Sequence, residues 1–108
     1  MQVDPPSHLA APSRALWRKL TATYEFESHE LEVLRLALEA LDRAATARRA
    51  LKRHGTTYND RFGAPHARPE VKIERDSANA AARFLAQLAI PVEDVESPGA
   101  VRDLRRVS

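Results

Sequence analysis

The chain has 108 residues, which is enough for one domain and too short for several. It contains no cysteine, which excludes a disulfide framework and a thiolate metal site. The 17 basic and 15 acidic residues leave a net charge of only +2, so the distribution of charge matters more than its total. No apolar run approaches the roughly 20 residues needed to cross a bilayer. The first twelve residues also lack the apolar centre of a signal peptide. We therefore expect a cytoplasmic protein that does not bind membranes.

The chain begins with residues 1–12, whose three prolines predict a flexible N-terminal arm. Ser13 is a suitable N-cap for a first, short helix over roughly residues 14–24. The apolar side chains of this helix recur at helical spacing: Leu16, Trp17, Leu20 and Tyr24.

A second and much longer helix is predicted to follow. Ser28 can serve as its N-cap, neither glycine nor proline occurs from Glu27 to His54, and Gly55 is a stop signal. Such a helix would be about 39 Å long at 1.5 Å per residue. That is longer than a core of this size covers on one side, and oligomerisation is a common remedy in short chains.

Two apolar stripes run along this second helix. The first is made of large side chains: Leu31, Leu34, Leu38 and Leu41. The second consists mainly of small side chains and is called the alanine stripe below: Val33, Ala37, Ala40, Ala44, Ala47 and Leu51. Two stripes indicate two packing partners. We expect the leucines to pack within the chain and the alanine stripe to form the oligomer interface with another subunit. The alternative is one wide face buried within a single chain.

The remaining segments complete a prediction of an all-α protein. Residues 55–68 combine turn-forming residues with aromatic and β-branched ones, which predicts a loop or a small β-hairpin. Pro69 suits the first position of a third helix, which Pro91 ends. Residues 13–90 would then form a helical core for oligomerisation and DNA binding. Residues 91–108 would form a flexible basic tail. Within the tail one amphipathic segment either docks on a partner or only solubilises the chain: Val101, Leu104, Arg105 and Arg106.

Charge is strongly polarised along the second helix. From Glu25 to Asp42 there are six acidic residues and one basic one, whereas from Arg43 to His54 there are five basic residues and no acid. The helix dipole explains the direction of this gradient, but it does not require five uncompensated cations. We interpret them, with two arginines of the next segment, as a DNA-phosphate patch; a solvated face and an intersubunit charge match are the alternatives. The predicted DNA-binding residues are Arg43, Arg48, Arg49, Lys52, Arg53, Arg61 and Arg68.

Motifs for catalysis are missing from the chain. It has no glycine-rich phosphate loop and no nucleophile elbow, and its four histidines lack metal-site spacing. We therefore expect neither an enzyme nor a bound cofactor or metal.

The order of these segments resembles the small-subunit family of phage DNA-packaging terminases. The resemblance is carried by "HLAAPSRALWRKLTATYEFESHELEVLRLALEALDRAATARRAL" at residues 8–51, "GTTYNDRFG" at 55–63 and "RPEVKIERDSANAAARFLAQL" at 68–88. Its most specific parts are "LRLALEALDRA", "DRFG" and the P-x-V-x-I-E-R-D pattern. The resemblance implies a non-catalytic, ring-shaped homo-oligomer in the host cytoplasm. Such a ring binds viral DNA and presents it to the large terminase subunit, whose ATPase and nuclease it regulates.

Two other functions fit the same sequence. One is a small dimeric transcriptional regulator that reads DNA through its first two helices, although the acidic start of the second helix disfavours this. The other is a protein-interaction adaptor without a role in DNA binding.

Overall fold

The computed structural model describes residues 3–90 and Val95 of the chain. It confirms a mostly helical protein with three helices and a small antiparallel hairpin. The predicted C-terminal tail lies outside the described residues. The elements, in chain order, are α1 (Ala11–Thr23), α2 (Ser28–His54), β1 (Thr57–Asn59), β2 (Pro65–Ala67) and α3 (Pro69–Gln87). None of the three helices combines the length and apolar composition needed to span a membrane.

Helix α1 begins earlier than the sequence suggested. Its N-cap is Ala10 and a proline lies in its first turn, a position that proline favours. Ser13 is therefore inside the helix, and its prediction as the N-cap is wrong. Its hydroxyl instead donates a hydrogen bond to the carboxylate of Asp42 on α2, which also accepts from the N–H of Ala10 at 2.9 Å. Asp42 of α2 thus caps the N-terminus of α1, as a side chain at the N-cap position would ordinarily do.

Residues 3–10 pack against the helices, although we expected residues 1–12 to form a flexible arm. Leu9 is buried in the core, and the indole N–H of Trp17 donates to the carbonyl of Val3 at 2.8 Å. The imidazole Nε2 of His8 lies 2.7 Å from the carboxylate of Glu39. The three prolines indicated a flexible segment, but the burial of Leu9 and the hydrogen bond from Trp17 hold residues 3–10 in place.

Helix α2 is capped by Glu27 rather than by Ser28. Glu27 and Glu30 form a reciprocal capping box, in which the N–H of Glu27 donates to Oε1 of Glu30 at 2.8 Å. The helix ends at Gly55, whose φ of 81° is easily adopted only by glycine.

The hydrophobic core lies where α1, the N-terminal half of α2 and the end of α3 meet. The leucine stripe of α2 contributes to it as its spacing predicts, with Leu34 and Leu38 fully buried. The buried members of the core are Leu9, Trp17, Leu20, Tyr24, Leu34, Leu38, Leu88 and Ile90.

Helix α3 runs antiparallel to α2 and covers much of its other apolar stripe. Arg48 of α2 pairs with Glu74 of α3, whereas Leu41, earlier on α2, lines the same groove as Leu85, later on α3. Alanines occupy both sides of this contact. Small side chains permit helices to approach closely, so α3 fits against α2 without large interlocking side chains.

The alanine stripe is consequently not the exposed oligomer interface that we expected. Its four alanines retain only 0–3% of their surface within a single chain, and its two ends are half-buried. A neighbouring helix could pack along the stripe only by displacing elements of the same chain, although Ala47 also lines a hollow between α2 and α3. The alternative of one wide face buried within the chain describes the structure better. The four enclosed residues are Ala37, Ala40, Ala44 and Ala47.

Enlarging one of these alanines tests their burial. We expect Ala40→Leu to lower the free energy of unfolding by about 1–3 kcal/mol, because Ala40 is fully buried and its surroundings must shift to accept the added atoms. Urea denaturation at two protein concentrations measures this loss. Ala22→Leu, at an exposed position of α1, is the matched control and should change stability by less than about 0.5 kcal/mol. Equal stability of the two variants would show that the Ala40 site is open.

Candidate nucleic-acid interface

The C-terminal half of α2 carries the densest group of cations in the chain. No acidic residue occurs between Arg43 and His54, and the helix ends with Lys52, Arg53 and His54. Cations near a helix C-terminus are stabilised by the helix dipole, typically by about 0.3–1 kcal/mol each. The dipole thus favours this placement, while the charges themselves remain available to an anionic partner.

Three of these cations form a continuous exposed surface, called the cationic side below. Lys52 and Arg53 follow Arg49 by three and four residues, so both adjoin Arg49 on one side of α2. All three are exposed. Arg49 donates to the hydroxyl of Thr46 at 3.1 Å. Lys52 and Arg53 make no ion pair within the described part of the chain. These side chains can therefore reach an anion without first breaking a salt bridge.

Two predicted DNA-binding residues of α2 are placed differently. Arg48 precedes Lys52 by four residues and adjoins the cationic side, but its Nε donates to the carboxylate of Glu74 on α3 at 2.8 Å. Arg43 precedes Lys52 by nine residues, or about two and a half turns, so these two residues lie on opposite sides of α2. Arg43 lines a hollow between α2 and α3.

The hairpin places the last two predicted DNA contacts differently. Arg61 is at the exposed turn, and its guanidinium carbon lies 5.0 Å from the centre of the Phe62 ring, as a cation–π contact. Arg68 is the N-cap of α3 and is half-buried, and its Nε is enclosed with no hydrogen-bond partner among the described residues. Arg68 thus fits a structural position at the base of the hairpin better than an open phosphate contact.

The hairpin itself is held by a small polar network that the turn residues alone did not reveal. Oδ1 of Asp60 accepts hydrogen bonds from the N–H groups of Phe62 and Ala64, at 2.8 and 3.0 Å. Its other oxygen lies 2.9 Å from Nε2 of His66, whose ring stacks on Tyr58. The bond to His66, with the backbone bonds, holds the pKa of Asp60 below its ordinary value of 3.8.

A second carboxylate network lies at the other end of α2. The hydrogen bond from His8 and the charge of Arg35 hold the pKa of Glu39 below its ordinary range. Arg35 also pairs with Glu32, at 3.2 Å, and these two carboxylates raise its own pKa. The acidic half of α2 is thus largely occupied by contacts within the chain.

Neither network forms a metal centre. In residues 3–90 and Val95, no three side chains of His, Asp, Glu or Cys type come together in a way that could hold an ion. The predicted partner-docking residues lie outside the described part of the chain: Val101, Leu104, Arg105 and Arg106.

Comparison with protein-family models, curated proteins and solved structures finds no match to this chain. The terminase resemblance therefore depends on the sequence motifs alone.

The hairpin network makes a prediction about pH. Because the folded-state pKa of Asp60 is depressed, the contribution of its carboxylate is present above about pH 4 and is lost as the pH falls through that folded-state pKa. We expect His66→Ala to raise the Asp60 midpoint toward 3.8, as measured by NMR titration of its carboxyl carbon. His29→Ala, an exposed histidine on α2, is the control and should leave the midpoint unchanged. The same midpoint in both variants would contradict the role given to His66.

Proposed function

We propose that this protein is the non-catalytic small subunit of a viral DNA-packaging terminase, which assembles with copies of itself and binds DNA. The observation that carries the proposal is the cationic side of α2, formed by Arg49, Lys52 and Arg53. It is exposed, and Lys52 and Arg53 have no acidic partner in the described residues. The helix–hairpin–helix order and the motifs quoted above support the family assignment. The large terminase subunit, with its ATPase and nuclease, would be the protein partner.

Binding at this surface would depend on phosphates rather than on base sequence. The cationic side is the flank of a long helix, which can follow a phosphate backbone but presents no row of amide side chains for reading base edges. The start of α2 is less suited to a DNA groove, because its N-cap is Glu27 and its first turn contains Glu30. This placement favours phosphate binding over the major-groove reading expected of a transcriptional regulator.

The salt dependence of the DNA affinity is the most direct test of phosphate binding. Each phosphate contact contributes about 0.9 to the slope of log affinity against log salt for duplex DNA. We therefore expect the double variant Lys52→Ala/Arg53→Ala to reduce the magnitude of the slope by about 1.8, as measured by fluorescence anisotropy with a labelled duplex.

The control removes the same charge elsewhere. Arg18→Ala/Arg83→Ala deletes two exposed cations from α1 and α3 and should leave the slope unchanged. Equal losses in both double variants would mean that DNA responds only to net charge. Absence of any DNA binding by the unmodified protein at low salt would reject the proposal.

A further inference from the structure

The hairpin presents one large aromatic side chain to solvent. Phe62 is 81% exposed, far more than any other large apolar side chain in the described residues. A single exposed apolar residue is ordinary on a protein surface. Phe62 differs from such a residue in two contacts: its backbone N–H donates to Oδ1 of Asp60 at 2.8 Å, and the guanidinium carbon of Arg61 lies 5.0 Å from the centre of its ring. An aromatic side chain that projects from a backbone already held in place can bind with less loss of conformational entropy than one on a free loop.

Within the described part of the chain, no other element covers the hairpin. Both strands, Thr57–Asn59 and Pro65–Ala67, are exposed along their whole length, and among the described residues they pair only with each other. An isolated two-stranded hairpin is at best marginally stable in water, and packing against another element is the usual remedy. Contact with another surface would therefore stabilise this hairpin.

A suitable receiving surface exists elsewhere on the same chain. A hollow of about 330 Å³ lies between α2 and the first turns of α3. Its apolar lining includes Ala47, Ala50 and Ile73, and Ile73 is itself 44% exposed. An apolar cavity of about 150 Å³ is enough to bind benzene, so the hollow has room for a phenyl ring.

Charges at the two surfaces are complementary. Arg61 accompanies Phe62 at the hairpin turn and makes no ion pair in the described residues. The hollow is lined by two carboxylates, Asp42 and Glu70, and by one cation, Arg43, so its lining carries more acidic than basic groups. Asp42 is already engaged by Ser13 and Ala10, whereas Glu70 has no hydrogen-bond partner within the described part of the chain. An arginine that enters with Phe62 would therefore meet an available acid.

We propose that Phe62 of one chain inserts into this hollow on a second copy, with Arg61 pairing to Glu70 of that copy. The inference rests on the proposed function only in requiring self-assembly, and it gives that assembly a surface in place of the enclosed alanine stripe. In the structure Phe62 does not fill the hollow of its own chain, since its side chain faces solvent. Each subunit thus offers one projection and one hollow. Such a head-to-tail contact continues from chain to chain and forms a ring where the rotation closes.

Two variants separate the partners of this contact. Phe62→Ala removes the projection and leaves the hollow, whereas Ala50→Trp fills the hollow from α2 and leaves the projection. We expect each variant alone to be monomeric by light scattering, with self-association weakened by about 30-fold or more, as for a central interface residue. An equimolar mixture should form a one-to-one dimer, because one intact projection and one intact hollow remain.

Controls keep the outcome interpretable. Phe62→Leu should retain part of the association, and Ala22→Trp, at an exposed site on α1, should retain all of it. Circular dichroism and thermal unfolding must show that all variants are folded. Oligomers that persist in both Phe62→Ala and Ala50→Trp would overturn the contact while leaving the proposed self-assembly intact.

Two further outcomes would also overturn the contact. One is a loss of DNA affinity in Phe62→Ala without a change in subunit number, which would make Phe62 a DNA contact. The other is that the unmodified protein is monomeric. This result would reject self-assembly itself, and phosphate binding would then be tested separately by the salt dependence of DNA affinity.

Discussion

The packing of α3 against the small side chains of α2 determines where the other surfaces of this protein lie. Ala44 and Ala47 of α2 let α3 approach α2 closely, and this contact encloses the alanine stripe, which would otherwise be exposed. The antiparallel direction of the two helices requires the connecting segment to reverse the chain beyond the end of α2. The hairpin makes this reversal, and the hollow lies between the same two helices, so the positions of Phe62 and of the hollow both depend on one helix pair.

The polar contacts of α2 differ between its two halves: the acidic side chains make contacts within the chain, whereas most of the basic ones do not. In the N-terminal half, Asp42 caps α1 and Glu39 binds His8 and Arg35, so the acids are used within the chain. In the C-terminal half, Arg48 is the one cation that pairs with an acid of another helix in the described residues, namely Glu74. An exposed pair of this kind contributes about 0–1 kcal/mol. The cations beyond it are left to solvent or to an anionic partner.

The periodic features of the sequence predicted the helices well, whereas long-range partners could not be read from it. The absence of glycine and proline before Gly55 gave the length of α2, and Pro69 gave the start of α3. The expectation for the alanine stripe failed for a specific reason. Small apolar side chains indicate close packing with a helix, but they do not specify whether that helix belongs to the same chain. The same limit applies to Asp42, whose partners lie about thirty residues away in the sequence. It also applies to Arg48, which the sequence grouped with the other cations although it pairs with Glu74 on α3.

The enclosure of the alanine stripe is tested most directly by asking which molecule supplies the atoms around it. A sample that mixes isotope-labelled and unlabelled chains allows nuclear Overhauser contacts within and between chains to be separated. We predict that the methyl group of Ala44, which does not line the hollow proposed to receive Phe62, shows contacts to α3 protons only within one chain. Contacts from this methyl group to protons of another chain would contradict the packing described here and return the stripe to the subunit interface.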